Sequence, residues 1–240
     1  MKIEKIYKIL NELSAFELQE KWDNSGLQVG SMSDEVKRVV VALDIDEQLL
    51  DSLEENTLLI THHPLIFSGL KAIDFDKYPS NLIRKMMQKN ISNIAIHTNF
   101  DITHLNDYVI EEILGYKIVQ KDGFIAYIDV DEEFDTFVKK VKQSLGLEFT
   151  KYVKTQSRVK RVAITTGSGC SLIPTINADC FLTGDIKYHD AMHAKSIKLS
   201  LIEIGHYESE HFFTQILQKT LKNLGLEVII ASSENPFRYK

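Results

Sequence analysis

Cysteine is scarce in this sequence of 240 residues: Cys170 and Cys180 stand without CxxC spacing or a framework of partners. That excludes a disulfide scaffold and leads us to expect two reduced thiols. Proline and glycine are also few, at 4 and 11, while 44% of the residues are apolar and 26% charged. Collagen-like, low-complexity and disordered classes are thereby excluded. Long hydrophobic runs are missing, because Val39–Leu43 and Thr57–Ile60 are of strand length, far short of the roughly 20 residues a membrane span needs. Positive charge is in deficit: 28 Lys and Arg against 34 Asp and Glu leave a net charge of −6. With no broad basic footprint, a nucleic-acid partner is not expected. The opening segment MKIEKIYKILNELSAFE carries acids within its apolar periodicity and offers no small-residue cleavage site, so it is expected to be an amphipathic helix of a cytoplasmic protein.

What is present is the pattern of a folded α/β chain, long enough for one large or two small domains. Ile3, Ile6, Tyr7, Leu10 and Leu13 form a helical stripe,. The loop Trp22–Gly30 breaks it, and strand-like runs then alternate with helical ones: Arg38–Leu43, Thr57–Thr61 and Ile94–His97 as strands, with helices between them and after Leu105. The alternation predicts a mainly parallel, doubly wound sheet, and the continuous apolar runs predict helices on both of its faces. The pattern restarts around Gly115, which predicts a first α/β domain over 1–115 and a second over 116–240. Val36-Lys37-Arg38-Val39 is echoed by Val159-Lys160-Arg161-Val162, and at a similar offset Leu59-Ile60-Thr61 is echoed by Phe181-Leu182-Thr183. Two related domains are the expectation.

The chemistry lies in the histidines. All 8 fall within His62–His104 or His189–His211, windows that begin where strands end, and in open α/β sheets ligands bind beyond the carboxyl ends of the strands. His62-His63-Pro64 follows one apolar strand, and its two imidazoles suit two different metal ions. His97-Thr98-Asn99-Phe100-Asp101 follows another; Asp101 suits a divalent cation or, alternatively, an N-cap for a helix starting near Leu105. Gly205-His206-Tyr207-Glu208-Ser209-Glu210-His211 follows a third, and His206 and Glu210 share one helix face. His189 and His193 have the same spacing on a more solvated helix. Asp185, after the strand Cys180–Thr183, is placed to line a cleft. Gly167 and Gly169, in the turn Thr166-Gly167-Ser168-Gly169, could cradle phosphate with their backbone amides, although the Walker Lys-Ser/Thr is missing.

His62, His63, Asp101, His206 and Glu210 together supply three imidazoles and two carboxylates. That is too many for one tetrahedral ion and suited to two divalent cations sharing a carboxylate and a water. The donor mixture fits zinc, iron, manganese or nickel equally.

Five motifs in order, Trp22-Asp23-Asn24-Ser25-Gly26-Leu27-Gln28-Val29-Gly30, Thr61-His62-His63-Pro64, His97-Thr98-Asn99-Phe100-Asp101, Thr183-Gly184-Asp185 and Gly205-His206-Tyr207-Glu208-Ser209-Glu210, resemble the GTP cyclohydrolase I type 2 family, also called the Nif-three-like proteins. The resemblance spans essentially the whole chain and is to the short form of the family, which lacks an extra inserted domain. It implies two related α/β domains with a dinuclear metal centre in the cleft between them, formed by His62, His63, Asp101, His206 and Glu210, and a ring-shaped homohexamer. It further implies conversion of GTP to 7,8-dihydroneopterin triphosphate and formate by metal-activated hydroxide. His97 or Asp185 would shuttle protons, and Gly167, Gly169 and Lys187 would meet the triphosphate. Two other functions suit the same residues: a metal-dependent nucleotide phosphohydrolase, which releases phosphate without formate, and a non-catalytic metal- or partner-binding scaffold.

Overall fold

A computed structural model describes residues 1–240 apart from Leu224, Leu226, Ser232, Tyr239 and Lys240. The chain groups into two compact units, Met1–Phe100 with Phe213–Lys240, and Asp101–Phe212.

The first unit opens with helix α1 (Ile3–Leu13), whose stripe buries Ile3, Ile6 and Leu10. Its sheet contains β1 (Gly26–Val29), β2 (Arg38–Ala42), β3 (Thr57–Thr61), β4 (Ser92–Ala95) and a last strand, Val228–Ile230, in the order β1, β4, β3, β2, last strand. β2, β3, β4 and the last strand run parallel. Every residue of β3 is buried, as expected of a central parallel strand covered on both faces. One face packs Val40, Leu59 and Leu65 against Leu49 and Leu50 of α2 (Glu47–Ser52) and against Leu82, Ile83 and Met86 of α3 (Ser80–Gln88). Asp46 caps α2 by accepting from the Leu49 N–H at 2.6 Å. The expected loop over Trp22–Gly30 is in part the edge strand β1, antiparallel to β4 with Gly26 opposite Ala95.

The second unit carries β5 (Ile118–Asp122), β6 (Ile125–Glu133), β7 (Tyr152–Val153), β8 (Arg158–Ile164), β9 (Cys180–Thr183) and β10 (Ser200–Glu203), ordered β5, β6, β8, β9, β10, β7. Its centre, β8–β9–β10, is parallel, whereas β5, β6 and β7 add antiparallel margins. The second sheet is therefore mixed, while the first follows the mainly parallel expectation. Helices α4 (Phe134–Ser144), α5 (Tyr188–Ser196) and α6 (His206–Glu210) belong to this unit.

The two parallel centres are built alike. The strands carrying the repeated Lys-Arg-Val fragments are β2 and β8. Each pairs in parallel with the strand that leads to His62 or to Gly184, and that strand pairs in turn with β4 or β10. His97 and Asp101 thus follow the third strand of one centre as His206 and Glu210 follow the third strand of the other.

The compact units part at Phe100 and again at Phe212, whereas the sequence reading divides the chain once, at residue 115. A helical run over 98–113 begins within the first unit, and the second unit begins at Asp101. The long helix expected after Tyr207 is two helices, α6 and Phe213–Asn223, the latter in the first unit. The last strand pairs with β2 because Val228, Ile229 and Ile230 complete a parallel edge beside Val39, Val40 and Val41. Among the described residues no helix is long and apolar enough to cross a membrane.

Candidate metal centre

In the first unit three imidazoles gather just beyond the ends of β3 and β4. The His62 and His63 rings are 4.9 Å apart, His62 and His97 5.1 Å, and His63 and His97 5.4 Å. Each offers a ring nitrogen within 4.8 Å of the other two. Each Nδ1 faces an oxygen that can only accept: Ile96 O at 3.1 Å for His62, Asp44 Oδ1 at 2.7 Å for His63, and Asp23 Oδ1 at 2.8 Å for His97. With the proton on Nδ1, each Nε2 carries the lone pair, the tautomer of a metal-ligating or proton-accepting imidazole.

Asp23 is a built carboxylate. It accepts from the backbone N–H groups of Asn24 and Thr98 and from the hydroxyls of Ser25 and Thr98. Burial raises its pKa, but the bonds from His97, Thr98 and Asn24 outweigh burial and hold the carboxyl well below its ordinary range,. His62 is fully buried and its ring lies 5.0 Å from Phe213.

The second unit has its own buried carboxylates. Asp101 opens a π-helical turn, Asp101–Leu105, inside the helical run that starts at Thr98. The run's start at Thr98 rules out the alternative in which Asp101 caps a helix at Leu105, and π-turns recur at functional sites. Asp101 and Glu210 are buried and offer carboxylate oxygens within 4.8 Å of each other. On α6, His206 Nε2 lies 3.0 Å from Glu210 Oε2, while His206 Nδ1 lies 2.7 Å from Asp185 Oδ2. Burial lowers the pKa of His206, but the hydrogen bonds and charges of Glu210 and Asp185 overcome it and push the ring up to about 10. A ring with carboxylates on both nitrogens calls for a positive charge, and a proton or a metal ion supplies it. Two neighbouring buried carboxylates make the same demand. The donor set fits divalent cations.

The backbone amides of Gly167 and Gly169, expected to cradle phosphate, both have partners within the chain. The Gly167 N–H donates to Ser209 Oγ at 3.0 Å and the Gly169 N–H to Thr183 Oγ1 at 2.8 Å, so both amides are committed internally. Gly167 has φ +62°, and a Cβ there would collide with Glu210 Oε1. Its missing side chain is what lets the Glu210 carboxylate lie where it does. Lys187 is exposed at the N-cap of α5. Among the described residues no metal-competent group includes His189 or His193.

The family model for Duf34/NIF3 (NGG1p interacting factor 3) matches residues 1–236. The chain belongs to the Duf34/NIF3 family. It is 49% identical over 240 residues to the GTP cyclohydrolase 1 type 2 homolog of Campylobacter jejuni, covering all of both chains. It is 42% identical to the GTP cyclohydrolase 1 type 2 of Helicobacter pylori strain 26695, covering 98% of each. Among solved structures, Staphylococcus aureus protein SA1388 superposes with a TM-score of 0.85 at 25% identity, covering 100% of this chain and 99% of that one.

In this Duf34/NIF3 chain the five motifs acquire distinct tasks. Trp22–Gly30 supplies Asp23, which orients His97, and Thr183-Gly184-Asp185 supplies the carboxylate that orients His206. Sequence reasoning missed Asp23 and Asp44 as functional residues. Asp44 had a usable signal, a carboxylate just past the end of β2, whereas Asp23 had none apart from its motif.

Proposed function

We propose that this protein is a metal-dependent GTP cyclohydrolase that converts GTP to 7,8-dihydroneopterin triphosphate and formate. The observation that carries the reading is the full-length identity of 42% to a protein named GTP cyclohydrolase 1 type 2, in a chain whose imidazoles and carboxylates form a donor set for divalent cations. His62, His63, Asp101, His206 and Glu210 would hold a pair of divalent cations: zinc, iron, manganese or nickel. Such ions acidify a coordinated water and supply hydroxide at neutral pH.

The chain's own residues do the rest. Asp44 and Asp185 keep His63 and His206 in the tautomer and orientation a ligand needs, as carboxylates behind metal-bound histidines do. Asp23 holds the proton of His97 on Nδ1, so that Nε2 can take a proton from the reacting water or return one to the opening ring. Asp185 is in this reading a positioning residue, and the proton shuttle is His97. Lys187, exposed and cationic, meets the triphosphate. A homohexamer accords with the exposed Leu70, Ile73, Phe75 and Tyr78, apolar surface suited to self-association.

The test is product identity. Metal-loaded protein incubated with GTP is expected to release formate and pterin in equal amounts. Phosphate without formate would replace this reading with a phosphohydrolase, and no turnover by metal-bearing protein would leave a binding scaffold.

A further inference from the structure

Trp22 and Phe67 are large apolar rings left in the open, 59% and 51% exposed. Their centroids are 5.8 Å apart with planes at 49°, and each lies 6.3 Å from the His97 ring. They form an aromatic corner one ring away from the imidazole cluster, entirely within the first unit. The backbone beneath them is pinned. Asn24 Nδ2 donates to Ile66 O at 2.5 Å and the Ile66 N–H donates to Gln28 Oε1 at 3.2 Å, bracing the segment before Phe67 against the segment after Trp22. Asp23, next to Trp22, is fixed by His97 and Thr98. Exposed rings are common; two exposed rings braced beside a catalytic imidazole make a stacking platform whose ordering cost is met before any ligand arrives.

Building on the nucleotide reading above, we infer that Trp22 and Phe67 form the base-recognition corner of the site and stack the purine ring of the substrate beside His97. Aromatic faces hold nucleobases by stacking, an interaction that needs no base-specific hydrogen bond. The corner is a positioning and specificity element: it places a planar heterocycle, and a ligand without one gains nothing from it.

Trp22 is the sole tryptophan of the chain, so its fluorescence reports on this corner alone. The full chain is titrated with GTP, with guanosine and with inorganic triphosphate, and formate release is followed separately. GTP and guanosine are expected to quench the emission saturably and inorganic triphosphate to leave it unchanged. Phe67→Ala should weaken GTP binding about tenfold or more, Phe67→Tyr should restore it, and both should retain the wild-type metal content. Formate production with no fluorescence response to guanosine or GTP would overturn the corner and leave the cyclohydrolase reading intact. Quenching by guanosine without formate would uphold the corner and remove the cyclohydrolase. Emission that changes only with protein concentration would reassign the two rings to a contact between copies of the chain and overturn the inference.

Discussion

His97 Nδ1 lies 2.8 Å from Asp23 Oδ1, although 74 positions of sequence separate them. In the proposed mechanism this pair makes His97 more than a third imidazole, because the carboxylate fixes the tautomer that leaves Nε2 as the proton acceptor. Asp23→Asn preserves the shape and removes the charge. GTP turnover is expected to fall about a hundredfold with bound metal retained, measured by formate release beside metal analysis. Unchanged turnover would remove the pair from the mechanism.

The absent side chain of Gly167 is a second requirement. A methyl group there would collide with Glu210 Oε1, so Gly167→Ala is expected to displace the carboxylate and weaken metal binding about 10- to 100-fold. Circular dichroism should report a folded chain, and metal titration should report the loss. Wild-type affinity would mean that Glu210 has room to move.

Phe213 supports the imidazoles from below. It is fully buried, 5.0 Å from the His62 ring and 5.1 Å from Phe100. Phe213→Ala should cost about 3–5 kcal/mol of stability, read by denaturant unfolding. A loss well under 1 kcal/mol would show that the aromatic stack does not support the site.

Much of this was legible in the sequence, because the residues concerned are local. β3 has the apolar centre Leu58-Leu59-Ile60 and is buried from Thr57 to Thr61, and His62 and His63 must follow it. The spacing of His206 and Glu210 by itself places them on one helix face. What was not legible depends on distant chain. No local pattern tells that Asp23 reaches His97 or that Asp44 reaches His63. The edge strand β5 has one half-buried residue followed by four exposed ones, so it lacks the apolar alternation that would reveal it. The return of Phe213–Asn223 and Val228–Ile230 to the first unit is a fact of topology: the pairing of Val228–Ile230 with β2 is parallel and long-range.

The thiols give a pH-dependent prediction. Burial pushes the Cys170 thiol up to about 12, and the negative charges of Asp190 and Asp185 add to the shift. A raised thiol pKa keeps the sulfur protonated and unreactive at every pH below it, so reactivity should grow with pH and stay small at pH 8. Alkylation of Cys170 there should be on the order of a thousandfold slower than that of an exposed thiol with an ordinary pKa of about 8.5. Peptide mass mapping after timed labelling would measure it, and rapid labelling in the folded protein would contradict the environment described.

If the imidazoles and carboxylates hold metal for GTP chemistry, metal content and formate release depend on the same residues. Bound metal and formate release measured side by side on wild type and His206→Ala test it most directly. Wild-type protein is expected to carry two ions per chain and to release formate, with both lost or sharply reduced in the variant. Formate release by His206→Ala at the wild-type rate, or by wild-type protein stripped of metal, would contradict it.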